Sequence, residues 1–167
     1  MSIFHRDQEL HDRLDWNILQ NGWISLYLSK DILFKDVAWF QQEKFHVVEF
    51  DCTAWSSKEI IQKALQNGLD FPDYYGGNLS AFNDCLYHID INNYGFVILF
   101  RNFQHVEKEY GFQLLDILAS NARSHMLFGK KLITLVHVDD PHYEIDPVGA
   151  SPVLWNPKEW LNTDRGI

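Results

Sequence analysis

Apolar residues along this chain follow two periods that alternate in order. Four short runs are almost continuously apolar: residues 23–29 (WISLYLS), 45–51 (FHVVEFD), 95–103 (GFVILFRNF) and 132–138 (LITLVHV). Bounded by turn residues and rich in β-branched and aromatic side chains, they read as strands, the second of them buried on both faces. Between them the apolar positions shift to helical spacing. Asp31 is placed to cap a helix over residues 32–44 with a stripe of Ile32, Val37, Trp39 and Phe40. Another helix opens at Ser56 or Ser57; Ser56 with Glu59 matches a capping box, Ile60, Ile61, Ala64 and Leu65 form its inner face, and Gly68 is its stop. A further helix runs from about Tyr110 to Ser124 and carries Phe112, Leu114, Leu115, Ile117 and Leu118, while Leu10, Leu14 and Ile18 predict a short helix near the start. Strand and helix in alternation at this spacing make βαβ units, so the class is α/β and the sheet is expected to be parallel, with 132–138 its last strand.

One stretch interrupts the alternation. Residues 71–88 read FPDYYGGNLSAFNDCLYH, a turn-rich loop that hands over directly to a helix. Pro72 cannot continue a preceding helix, Gly76 and Gly77 allow backbone angles closed to other residues, and Asn78 is a good N-cap. From there Leu79, Phe82 and Leu86 are spaced to face a core, and Ser80, Asn83, Asp84 and Tyr87 fall together on the opposite face. Tyr74 and Tyr75 are neighbours in the loop, so one can anchor it while the other faces solvent. A compact patch of aromatic, small polar and acidic residues is the composition of a recognition surface.

Charge narrows the partner. With 23 acidic against 14 Lys and Arg residues the net charge is −9, which argues against direct nucleic-acid binding and favours a basic protein partner through long-range steering. The two cysteines, Cys52 and Cys85, are too far apart for CxxC chemistry, and no histidine spacing pairs two ligands on one helical face, so neither a metal nor a cofactor is expected. No segment has the length of a signal peptide's apolar core or a membrane span, which makes the cytoplasm the default address. A nucleophile elbow and a phosphate-binding glycine loop are also missing. His88 with Asp84 lie four apart on the helix but have no nucleophile beside them, so a binding role is favoured over an enzyme.

The tail from 139 to 167 lacks periodicity but holds Pro147, Pro152, Pro157, Trp155 and Trp160. Leaving two indoles in water forgoes on the order of 150–250 Å² of burial each, so the tail is expected to pack back on the rest. With no repeat or linker, the whole of 1–167 reads as one domain.

The run PDYYGGNLSAFNDCL resembles the barstar family of intracellular ribonuclease inhibitors, most specifically at Pro72, Tyr74-Tyr75-Gly76, Asn78-Leu79, Ala81 and Asp84-Cys85-Leu86. More loosely the likeness extends over about 46–138, with 1–45 adding a strand and a helix and 139–167 a tail like that of longer bacterial members. The resemblance implies a small parallel sheet of three core strands plus one N-terminal strand, flanked by helices. It also implies a monomer when free that blocks the active site of a basic ribonuclease or related toxin with its loop and acidic helix. In that reading Asp84 is the central carboxylate that mimics substrate phosphate, and Tyr74 stacks on a catalytic histidine. Gly76, Gly77, Ser80, Asn83, Tyr87, His88 and Ser120 complete the contact surface. Ser80, Asn83 and Ser120 stand where the family has an acid, a tryptophan and another acid, departures that favour a target other than barnase. The alternative is a non-inhibitory interaction module using the same face.

Overall fold

The computed structural model describes residues 13–161. The chain runs α1 (Leu14–Gln20), β1 (Ile24–Tyr27), α2 (Lys30–Gln42), β2 (His46–Asp51), α3 (Lys58–Gly68), α4 (Leu79–Tyr87), β3 (Phe96–Arg101), α5 (Lys108–Leu127), β4 (Leu132–His137) and β5 (Leu154–Trp155). The strands form one sheet in the order β2-β3-β4-β1-β5, every pairing parallel. The α/β class and parallel sheet anticipated from the alternating periods are therefore present, with one strand more than the periodicity gave. The fifth, β5, is two residues long and lies in the tail, too short to carry a period of its own.

Side chains that alternate along β3 divide the core. Phe96, Ile98 and Phe100 point to a layer formed by α3, α4 and α5, whereas Val97 and Leu99 point to one formed by α1 and α2. β4 is buried along its length, and β3 at every residue but Arg101. β2 is not. Only Phe50 of that strand is buried, because β2 is the edge of the sheet rather than a strand covered on both sides. The short helix expected near the start is α1; Leu14 and Ile18 are on it, and Leu10 lies outside the described residues.

Ser29, not the expected Asp31, caps α2 by accepting from Ile32 N–H, and of the two serines offered for α3 it is Ser57 that caps it, accepting from Ile60 N–H. The inner faces also differ from the expected stripes. Leu33, Asp36 and Phe40 are the buried positions of α2, and Ile61, Gln62 and Leu65 those of α3, leaving Ile60 at 44% exposure. α5 extends a turn beyond the expected Ser124 and is capped by the Glu107 carboxylate. Gly68 is the last residue of α3, and packing demands a glycine there: a Cβ would sit 2.3 Å from the Phe50 ring.

The tail is tied to β1 by main chain and side chain. Asn156 N–H donates to Leu26 O at 2.8 Å, and its side-chain amide donates to Tyr27 Oη and Asp36 Oδ2, each at 3.0 Å. Lys158 pairs with Asp36 from the other side. Buried Glu159 accepts from Leu28 and Ser29 N–H at 3.0 and 2.8 Å, placing a carboxylate at the start of α2. Trp155 packs against the core, whereas Trp160 stays 76% exposed. Among the described residues no helix is long and apolar enough to cross a membrane.

Candidate functional site

The loop before α4 is held from beneath. Phe71 is buried and its ring packs 5.1 Å from Tyr75 and 6.2 Å from Phe82, centroid to centroid. The Tyr75 hydroxyl donates to Gln62 Oε1, and Gln62 Nε2 donates to Tyr110 Oη at 2.6 Å. The Pro72 carbonyl accepts from both Tyr75 N–H at 2.9 Å and Gln66 Nε2 at 3.1 Å. Tyr75 is thus the anchor of the adjacent pair, and burial pushes its phenol well up. Tyr74, one residue away, projects with 87% of its surface exposed. At Gly77 the chain turns through φ +66°, a left-handed conformation that favours glycine. Asn78 then accepts from Ala81 N–H at 2.8 Å and starts α4.

α4 presents the face its periodicity predicts. Phe82 and Leu86 are fully buried, while Ser80, Asn83, Asp84 and Tyr87 are exposed and His88 is exposed at the C-cap. Two side chains of α5 hold the helix from behind: Asn121 Nδ2 donates to Asn83 Oδ1 at 2.9 Å, and His125 Nε2 lies 2.9 Å from Leu86 O.

Beside α4 runs a groove of about 690 Å³. Tyr74, Asp84 and His88 from the expected surface line it, together with His46, Asp70, Asp90 and the rings of Phe71 and Phe96. Gly76, Gly77, Ser80, Asn83 and Tyr87 are not part of its lining; they form the exposed ridge of loop and helix next to it. Ser120 is exposed on α5, beside the tail turn at Gly149, and is not in the groove. Asp70 and Asp90 were missed in the sequence, although each lies within two residues of an end of the 71–88 stretch. Gln62 was missed because a glutamine within an apolar stripe carries no local mark of a distant tyrosine.

Three carboxylates and three aromatic rings line one groove with no lysine or arginine among its lining residues, a composition complementary to cationic side chains. Nucleophilic chemistry is disfavoured there. Burial, reinforced by the Asp84 charge, pushes the Cys85 thiol up, away from the reactive thiolate. Among the described residues no group of His, Cys, Asp and Glu is arranged to hold a metal ion.

Comparison with known proteins gives this geometry a context. Over 28 residues the chain is 57% identical to a Bacillus subtilis (strain 168) protein named "Putative ribonuclease inhibitor YrdF". That alignment covers 17% of this chain and 31% of the relative, less than a third of the relative's length. A family model described as Barstar (barnase inhibitor) matches residues 45–136, which run from β2 into β4 and contain the loop, α4 and the whole groove. The match covers more than half of the chain, and the protein belongs to the barstar family.

Proposed function

We propose that this protein is a proteinaceous inhibitor that inserts the Tyr74 loop and the outer face of α4 into the active-site cleft of a basic ribonuclease or related toxin. It acts by occlusion, in the cytoplasm, without catalysis. One observation carries the reading most: Tyr74, Asp84 and His88 meet on one acidic, aromatic groove that buried Phe71 also lines, and the Tyr75–Gln62–Tyr110 bridge anchors the loop that bears Tyr74. A rigid, pre-formed surface loses little conformational entropy on binding, and its negative charge speeds encounter with a cationic cleft. Family membership supports the same direction, as does the name of the Bacillus subtilis relative. Asp84 supplies the anion that stands in for a substrate phosphate, and Tyr74 the ring that stacks in the cleft. Ser80, Asn83 and Tyr87 on the ridge tune which enzyme is accepted.

The test is a titration of small basic ribonucleases, barnase among them, against a fluorogenic RNA substrate. The reading predicts that one of them loses activity at a one-to-one end point and that a mononucleotide bound in its cleft competes with the inhibitor. Tight binding to an enzyme that keeps full activity would replace the inhibitor with a non-inhibitory module using the same face.

A further inference from the structure

On the ridge beside the groove, Asn83 is exposed but its side chain is not free to choose which end it shows. Asn121, 4% exposed on α5, points its Nδ2 at two acceptors, Asn83 Oδ1 and the main-chain Ile117 O, each at 2.9 Å. A carbonyl can only accept, so the Asn121 atom facing Ile117 O must be the amide nitrogen. Its second hydrogen then requires an acceptor from Asn83. That fixes Asn83 with its oxygen inward and its NH₂ outward.

We infer that Asn121 is a positioning residue that sets the polarity of the recognition ridge, so that Asn83 offers a hydrogen-bond donor immediately beside the Asp84 carboxylate. Resting on the inhibitor reading, this deepens it to a statement about the partner. The surface that fits carries an acceptor, a main-chain carbonyl or a carboxylate, next to the cationic group that meets Asp84. A partner that offers a second donor opposite Asn83 is rejected, because it would leave two donors facing each other in a desolvated contact.

The first measurement needs no partner. In ¹⁵N-labelled full-length protein, the Asn121 side-chain NH₂ is expected to exchange with solvent about tenfold more slowly than that of Asn83. Asn83→Ala is expected to remove part of that protection. Protection on Asn83 instead, or an Asn121 signal indifferent to Asn83→Ala, overturns the assignment. The second uses barnase as probe. Asn83→Asp keeps the inward acceptor but turns the outward donor into an acceptor, and is expected to weaken binding about tenfold; tighter binding overturns the polarity. Asn121→Ala is expected to weaken binding about fivefold, and to have no such effect in an Asn83→Ala background. An equal loss in both backgrounds makes Asn121 merely structural and refutes its positioning role. Failure of the wild-type protein to bind barnase counts against that enzyme as the target in the inhibitor reading, and the exchange measurement then decides the polarity by itself.

Discussion

Replacing Gln62 by methionine tests the claim that the recognition loop is held from the interior. Methionine keeps the length and volume of glutamine but makes neither hydrogen bond. Two contacts disappear: the bond from the Tyr75 hydroxyl and the 2.6 Å bond to Tyr110 Oη. At about 1 kcal/mol net for each neutral bond, and a further ~1–2 kcal/mol because the Tyr110 hydroxyl stays buried without this donor, the loss is about 3–4 kcal/mol. Tyr75 is only partly covered, so water can replace its partner and no second penalty applies. Urea unfolding followed by tryptophan fluorescence measures the change, with an unchanged m-value showing that the unfolded state is the same. Amide exchange at residues 73–78 should accelerate in parallel, since this bridge ties the loop to α3 and α5. A loss under about 0.5 kcal/mol, or a loop whose exchange does not move, would mean that the buried amide between two phenols does not hold the loop.

Three further outcomes follow from the fold. Gly77→Ala should destabilise by about 1–2 kcal/mol through backbone strain alone, because φ is +66° and nothing lies within 4 Å of the new Cβ; Gly68→Ala should cost more, through the Phe50 ring, and thermal unfolding ranks the two. Glu159→Ala removes a buried carboxylate from Leu28 and Ser29 N–H and should cost about 3 kcal/mol, with limited proteolysis cutting first within residues 139–161. The His137 imidazole is held below its ordinary pKa, first by burial and then by the Lys30 charge. Below about pH 6.5 the unfolded chain therefore binds the proton more readily than the folded one, and stability falls with pH from there towards the folded value; urea midpoints between pH 7.5 and 5 should show a shallower decline in His137→Gln.

Local chemistry was legible in the sequence, and distant partnership was not. The helical face of α4, its Asn78 cap and the turn at Gly77 are each decided within a few residues, and the structure shows all three. The β3 and β4 runs could be read for the same reason. By contrast, FHVVEFD has the composition of a central strand, and only the order of strands reveals that β2 is an edge. Asp36 falls inside an apolar stripe because Asn156 and Lys158, 120 and 122 residues away, meet it there. The capping serines were ambiguous because Ser56 and Ser57 are both competent, and the choice follows from which helical face must reach the sheet. At the site, Asp84 and Tyr74 could be named from the motif, but Asp70 and Asp90 join them only through the folding of the flanking loops.

If the α4 face and the Tyr74 loop form the inhibitory surface with Asp84 at its centre, a ribonuclease inhibited by the wild-type protein should distinguish it from Asp84→Ala when the two are titrated side by side. Because Asp84 is exposed and its α4 backbone is already formed, folding should be unaffected, which circular dichroism checks. The expected loss is ~2–5 kcal/mol, on the order of thirtyfold to several thousandfold in the inhibition constant, a range known from buried charge pairs of which barnase–barstar is itself an example. Equal inhibition by the two proteins would contradict it.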